Sequence, residues 1–300
     1  MREIIERKYV LTSPNIKEYG ESFIKYLDVD DKTLRAYRVG VASFINYLKN
    51  NGIDQPKRGD IINYRDYLRD TYSSNTVNTY MIAIRSLFKY LEIHKLYENI
   101  AIDIKGAKYN TTPKKQVLSI EQTKNIYKNL TDVREKCLFS LLITTGLRGI
   151  EVSRANIEDI KLHNGEIVLW VQCKKHDEKN EYVKLSNQVI QDIKNYIGDR
   201  TNGSIFVSTS NNSKNERMSV TSIRNEIKKI FKRFGLDSDT FSLHSTRRTS
   251  ATIMYQSGVD THSIQQILHH KSQSTTIRYI NQVTRDNNKG EYIISNTLFN

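Results

Sequence analysis

Cysteine and proline are scarce, with two and three residues in a chain of 300. Cys137 and Cys173 stand in apolar contexts without the close spacing of metal ligands, so they read as reduced packing residues rather than a disulfide or a zinc site. No apolar run suffices for a membrane span. The most apolar stretch, LFSLLITTGL, falls well short of the ~20 residues a spanning helix needs. The opening MREIIERKYV is too charged for the apolar core of a secretory signal, so the expectation is a cytoplasmic protein without membrane contact. Clustered Asp and Glu residues able to hold a magnesium pair are missing, as is a nucleotide-binding motif, which points away from metal ions and other cofactors. No internal repeat is present.

What the chain has in excess is positive charge. Its 46 Lys and Arg against 33 Asp and Glu leave a formal net charge of +13, which favours a polyanionic partner. Leu34, Tyr37, Val41, Phe44 and Leu48 step by three and four and predict an amphipathic helix, with Asp30 or Asp31 to cap it. Val77, Met81, Ile84, Phe88 and Leu91 repeat the stripe after Ser73 and Ser74, and IINYRDYLRD between them reads as a shorter helix. Residues 14–103 are therefore expected to form a helical bundle. Residues 104–115, with Gly106, Pro113 and the lysines 105, 108, 114 and 115, lack periodicity and read as an extended basic linker. Residues 116–300 form the second domain. There SIEQTKNIYKNL, VREKCLFSLLITTGL, SNQVIQDIKNYI and SVTSIRNEIKKIFKRF read as helices, whereas GEIVLWVQCKK and EYVKL read as a strand, loop and returning strand.

Neither the 18 tyrosines nor the seven histidines are informative one at a time. Their company is what matters. Arg148 follows the glycine that ends the apolar helix, so its guanidinium emerges from a buried turn. Lys174 and Lys175 lie at the tip of the proposed hairpin. His244 and Arg247 are three apart and share a helical face. His269 and His270 close a further apolar helix, and Ser274 is placed to cap a short helix that presents Tyr279. Arginines, a lysine, histidines and a tyrosine make an anion site with a nucleophile and proton donors, and a phosphodiester is the substrate that suits it. Guanidinium forks bind the nonbridging oxygens, a phenolate attacks, and a lysine or imidazolium protonates the departing 5′ oxygen.

The order Arg, Lys, His-x-x-Arg, His, Tyr resembles the tyrosine recombinases of the lambda-integrase-like and Xer-like type. TTGLRGIEVSRA resembles that family's first arginine box, which implies Arg148 as a catalytic arginine and Glu151 as its supporting acid. VQCKKHDEKNEYVKL looks like the family's lysine hairpin and implies Lys174, with Lys175 the neighbouring alternative. HSTRRTSAT matches the His-x-x-Arg box through His244 and Arg247, and LHHKSQSTTIRY supplies His270 and the nucleophile Tyr279. His269 stands where the family usually has glycine, Arg248 replaces a common histidine, and Cys173 and Lys175 replace glycines beside Lys174. The resemblance implies a mainly α fold with a small β-sheet: an N-terminal SAM-like core-binding bundle and a mixed α+β catalytic domain. It further implies a site-specific recombinase that works on double-stranded DNA through a 3′-phosphotyrosyl bond and a Holliday junction. Such an enzyme acts as a homotetramer joined by exchanged C-terminal tails, for integration or excision of a mobile element or for Xer-like resolution. A type IB-like topoisomerase and a non-cleaving DNA-binding regulator on the same fold are the alternatives.

Overall fold

The computed structural model describes residues 15–108, 116–173, 178–236, 239–286 and 290–299, and the chain divides into two compact units on either side of the 112–113 bond.

The first unit is all helix: α1 (Asn15–Tyr26), α2 (Asp31–Asn50), α3 (Arg58–Thr71) and α4 (Ser74–Ile93). Asp30 caps α2 by accepting from the Thr33 amide at 3.0 Å, and Ser73 caps α4 through the Thr76 amide. The stripes predicted from the sequence form the core, where the Phe44 ring meets Tyr64 at 5.0 Å and Phe88 at 6.0 Å between centroids. Burying rings of this size contributes roughly 1.5–3 kcal/mol each.

Beyond α4 the structure departs from the expected linker. Ala101 and Ile104 are buried in the bundle core, and four side chains hold the carbonyls of the segment that follows. Arg58, Arg85, Arg69 and Asn78 donate to the carbonyls of Ile102, Ile104, Gly106 and Ala107 respectively. Gly106 is required by this docking, since a Cβ there would sit 2.0 Å from the Asn78 side-chain oxygen. Residues 109–115 of the expected linker lie outside the described residues.

The second unit comprises α5 (Ile120–Asn129), α6 (Val133–Thr145), α7 (Gly149–Arg154), β1 (Ile160–His163), β2 (Glu166–Val171), β3 (Glu181–Lys184), α8 (Asn187–Ile197), α9 (Val220–Arg233), α10 (Leu243–Gln256), α11 (Thr261–Ile267), α12 (Gln273–Asp286) and α13 (Gly290–Phe299). Helix α6 is buried along most of its length and is the centre around which the others pack. The sheet is antiparallel in the order β1-β2-β3, with Ile160 opposite Leu169 and Val171 opposite Glu181. β1 is an addition to the sequence reading. It is joined to β2 by Asn164 and Gly165 at φ +50° and +81°, the two left-handed residues of a tight hairpin turn. Helix α12 begins earlier than expected, capped by Ser272 rather than Ser274, and at 14 residues it is not short. Cys137 and Cys173 are buried and free, as expected. Among the described residues no helix is long and apolar enough to cross a membrane.

Candidate active site

Helix α6 stops at Gly146, whose φ of +64° closes the helix in the left-handed conformation. No side chain fits at this position, because a Cβ would lie 2.4 Å from Leu268 Cδ2 and 3.3 Å from Ser250 Cβ. The tight turn delivers Arg148 to the start of α7, where Glu151 stands one turn on. The Glu151 carboxylate accepts from the Arg148 amide at 2.7 Å and from its guanidinium at 2.8 Å, and it is wholly buried. The same carboxylate lies 3.9 Å from the Arg247 guanidinium, so one acid braces both arginines.

Arg247 is 1% exposed, the largest fully buried side chain among the described residues. It donates to the carbonyls of Gly146 and Leu268, and Arg148 reaches the carbonyl of His269 at 3.5 Å. Burial, and next the positive charge of Arg148, lower the Arg247 pKa to about 10, so the group is still cationic at neutral pH. The turn after α11 thus receives both guanidinium groups on successive carbonyls. Its next residue, His270, is buried, with Nδ1 held 2.8 Å from the Thr276 hydroxyl. Its other nitrogen, Nε2, is buried without a hydrogen-bond partner among the described residues. Burial and then the charges of Arg247 and Arg148 push His270 down to about 3, so it is neutral when no anion occupies the site.

Tyr279 faces this group from α12. Its hydroxyl is 2.8 Å from His244 Nε2, and its ring stands edge-on to His244 and His270 at 5.3 and 5.0 Å. His244 is lowered to about 4 by desolvation and by the charges of Arg247, Arg248 and Arg148. Its residue surface is exposed, which weakens the desolvation contribution, whereas the guanidinium charges remain. The imidazole beside the phenol is therefore unprotonated at neutral pH.

The structure brings together Arg148, Glu151, His244, Arg247, His270 and Tyr279 from α7, α10, α12 and the turn after α11. Lys174 and Lys175 lie outside the described residues. Cys173, which precedes them, is buried and senses the charges of Glu151, Glu181, Arg148 and Arg247, so the base of the hairpin borders the arginine pair. Sequence reasoning did not single out Thr276, which orients His270, and noted Arg248 only as a departure from the family pattern, whereas the fold makes it a buried cation whose charge reaches both His244 and Tyr279. A threonine six residues after a histidine has no sequence signature. Among the described residues no group of three His, Cys, Asp or Glu side chains is placed to hold a metal ion.

Residues 111–285 match the phage integrase family, and residues 20–95 match the SAM-like N-terminal domain of phage integrases. The chain belongs to the phage integrase family. It is a site-specific recombinase acting on DNA, which sets aside the topoisomerase and regulator readings. Among its relatives is the tyrosine recombinase XerA of Pyrococcus furiosus, 28% identical over 268 residues that cover 87% of this chain and 88% of the relative. The XerH recombinase in its pre-cleavage complex with difH is 17% identical, with a TM-score of 0.72 over 100% of this chain and 99% of that one. The lambda integrase tetramer bound to a Holliday junction is 16% identical, with a TM-score of 0.70 over 91% and 78% of the two chains. At these identities the structural likeness of this integrase-family chain is one of fold.

Proposed function

We propose that this recombinase cuts each DNA strand by attack of Tyr279 on a phosphodiester, and that it exchanges strands through a Holliday junction within a tetramer. The observation that carries the reading is the 2.8 Å contact between the Tyr279 hydroxyl and a neutral His244, beside two arginines braced by one buried acid. His244 accepts the phenol proton as the Tyr279 oxygen forms its bond to phosphorus. The bond from phosphorus to the 5′ oxygen breaks, and Lys174 supplies the proton that the leaving oxygen takes up. Arg148 and Arg247 hold the nonbridging oxygens and stabilise the charge that grows on them. His270, fixed by Thr276, directs its free Nε2 at the same group, where the phosphate's negative charge offsets the arginines that keep the imidazole neutral in its absence. Rejoining is the reverse, with the 5′ hydroxyl of another strand as nucleophile. One phosphodiester replaces another, so no ATP is consumed.

The other lysines of the hairpin favour Lys174 or Lys175 as the acid, because Lys179 is paired with Asp159 and Lys184 with Glu166. The experiment is to trap the covalent adduct in cells, recover its DNA and build a nicked duplex from that sequence. On this duplex Lys174→Ala is expected to slow cleavage by about 10²–10⁴-fold and Lys175→Ala by much less. A sulfur in the 5′-bridging position leaves without a proton and should restore the Lys174 variant. Equal defects, or no restoration, place the acid elsewhere.

Tetramer formation is assigned to α13. Tyr292, Ile293, Ile294, Leu298 and Phe299 are all exposed, from 60% to 80%, which is unusual for so many large apolar residues on one short helix. Docked on a neighbouring subunit, about three of these side chains would contribute a few kcal/mol per interface, and passing the contact from subunit to subunit closes a ring. Deleting residues 290–300 should leave thermal unfolding and single-site binding unchanged yet abolish synapsis of two DNA sites. A lowered melting temperature would show instead that the helix belongs to its own core. Mobile-element integration and excision, or Xer-like resolution, are the tasks this chemistry serves.

A further inference from the structure

The turn between α11 and α12 contains an unusual residue that the chemistry above does not use. His269 adopts φ +49°, a left-handed conformation that disfavours any residue with a Cβ. Its side chain is 8% exposed and reaches the sheet. There its Nε2 lies 3.3 Å from the Tyr182 carbonyl and 3.8 Å from the Glu181 carboxylate. A carbonyl only accepts, so Nε2 carries the proton. β3 is an edge strand of the sheet, and the imidazole supplies a donor to a strand carbonyl that has no fourth strand to pair with. The backbone of the same turn meanwhile holds the catalytic cations: the Leu268 carbonyl accepts from Arg247 and the His269 carbonyl from Arg148.

We propose that His269 is a positioning residue for strand cleavage, tying the β2–β3 hairpin to the turn that holds both arginines. Glu181 and Tyr182 pair with Val171 and Trp170, so the tether grips the mouth of the hairpin, and Lys174 follows Val171 by three residues. A displacement of about 1 Å at a reacting group is enough to cost on the order of 10²-fold in rate. The side chain therefore earns its strained backbone by fixing the end of β2, three residues before Lys174, relative to the turn that holds the arginines.

The inference rests on the reading of Lys174 as the acid, and the test separates the two. His269→Gly suits φ +49° and keeps both arginine-bound carbonyls, so it removes the tether without adding strain. It should retain the wild-type melting temperature and duplex affinity while cleaving the nicked duplex about tenfold or more slowly. The defect should disappear with the 5′-bridging sulfur substrate, and His269→Gln, whose amide can donate to the same carbonyl, should cleave within about threefold of wild type. Hydrogen exchange at the amides of residues 178–184 should be faster in His269→Gly and return to normal in His269→Gln. Normal cleavage by His269→Gly overturns the proposal, as does a defect that sulfur fails to relieve when it does relieve Lys174→Ala. Unchanged exchange overturns the tether whatever Lys174 does. If sulfur relieves neither variant, the reading of the acid fails, and the exchange result alone decides for or against the tether.

Discussion

Tyr279→Phe is expected to yield no covalent protein–DNA adduct. The substitution removes one oxygen and keeps the ring, so the edge contacts to His244 and His270 at 5.3 and 5.0 Å can persist and the fold should not change. Loss of a nucleophile in a site whose other parts remain costs roughly four orders of magnitude or more in rate. Duplex affinity, in contrast, comes from many cation–phosphate contacts to a chain of net charge +13, and should stay within about twofold of wild type. The readouts are adduct formation on a nicked duplex and a binding isotherm at fixed salt. An adduct at normal yield would remove Tyr279 from the reaction. A large loss of affinity would mean instead that the hydroxyl holds the site together through its bond to His244.

Arg247→Ala is expected to damage both stability and rate, and a paired substitution separates the two. Taking away the guanidinium leaves the Gly146 and Leu268 carbonyls without their buried donor and leaves the Glu151 carboxylate with Arg148 as its remaining cation. Breaking a buried ion pair from one side costs roughly 3–5 kcal/mol, or a fall in melting temperature on the order of 10 °C for a chain of this size. Cleavage should drop by at least about 10³-fold, because a preorganised donor to the transition state is gone. Arg247→Leu combined with Glu151→Gln removes the unbalanced carboxylate and returns some apolar volume, while the Gln carbonyl oxygen can still accept from Arg148, so it should recover part of the stability and none of the cleavage. Recovery of cleavage in the double variant would reduce Arg247 to a structural role.

The sequence by itself determined the amphipathic helices of the bundle, the caps of α2 and α4, and most of the side chains that the fold gathers around Tyr279. Leu34 through Leu48 and Val77 through Leu91 record which face of each helix is buried, and Asp30 and Ser73 satisfy amides only three residues away, so periodicity and local hydrogen bonding write these features into the chain. The order of Arg148, His244, Arg247, His270 and Tyr279 was legible because each carries chemistry on its side chain. β1 was missed although Asn164-Gly165 announced its turn, since four half-exposed residues make a weak strand signal. What only the tertiary structure decided lies mostly in the backbone. Residues 104–107 look like linker because nothing in their composition says that two arginines and an asparagine wait on α3 and α4 to hold their carbonyls. The carbonyls of Gly146, Leu268, His269 and Tyr182 anchor the arginines and the hairpin, and every residue type has such a group, so no pattern of side chains can mark which ones are used. The neutral charge state of His270 is likewise a property of burial and of guanidinium groups brought from α10 and the start of α7, and it exists only once the chain has folded.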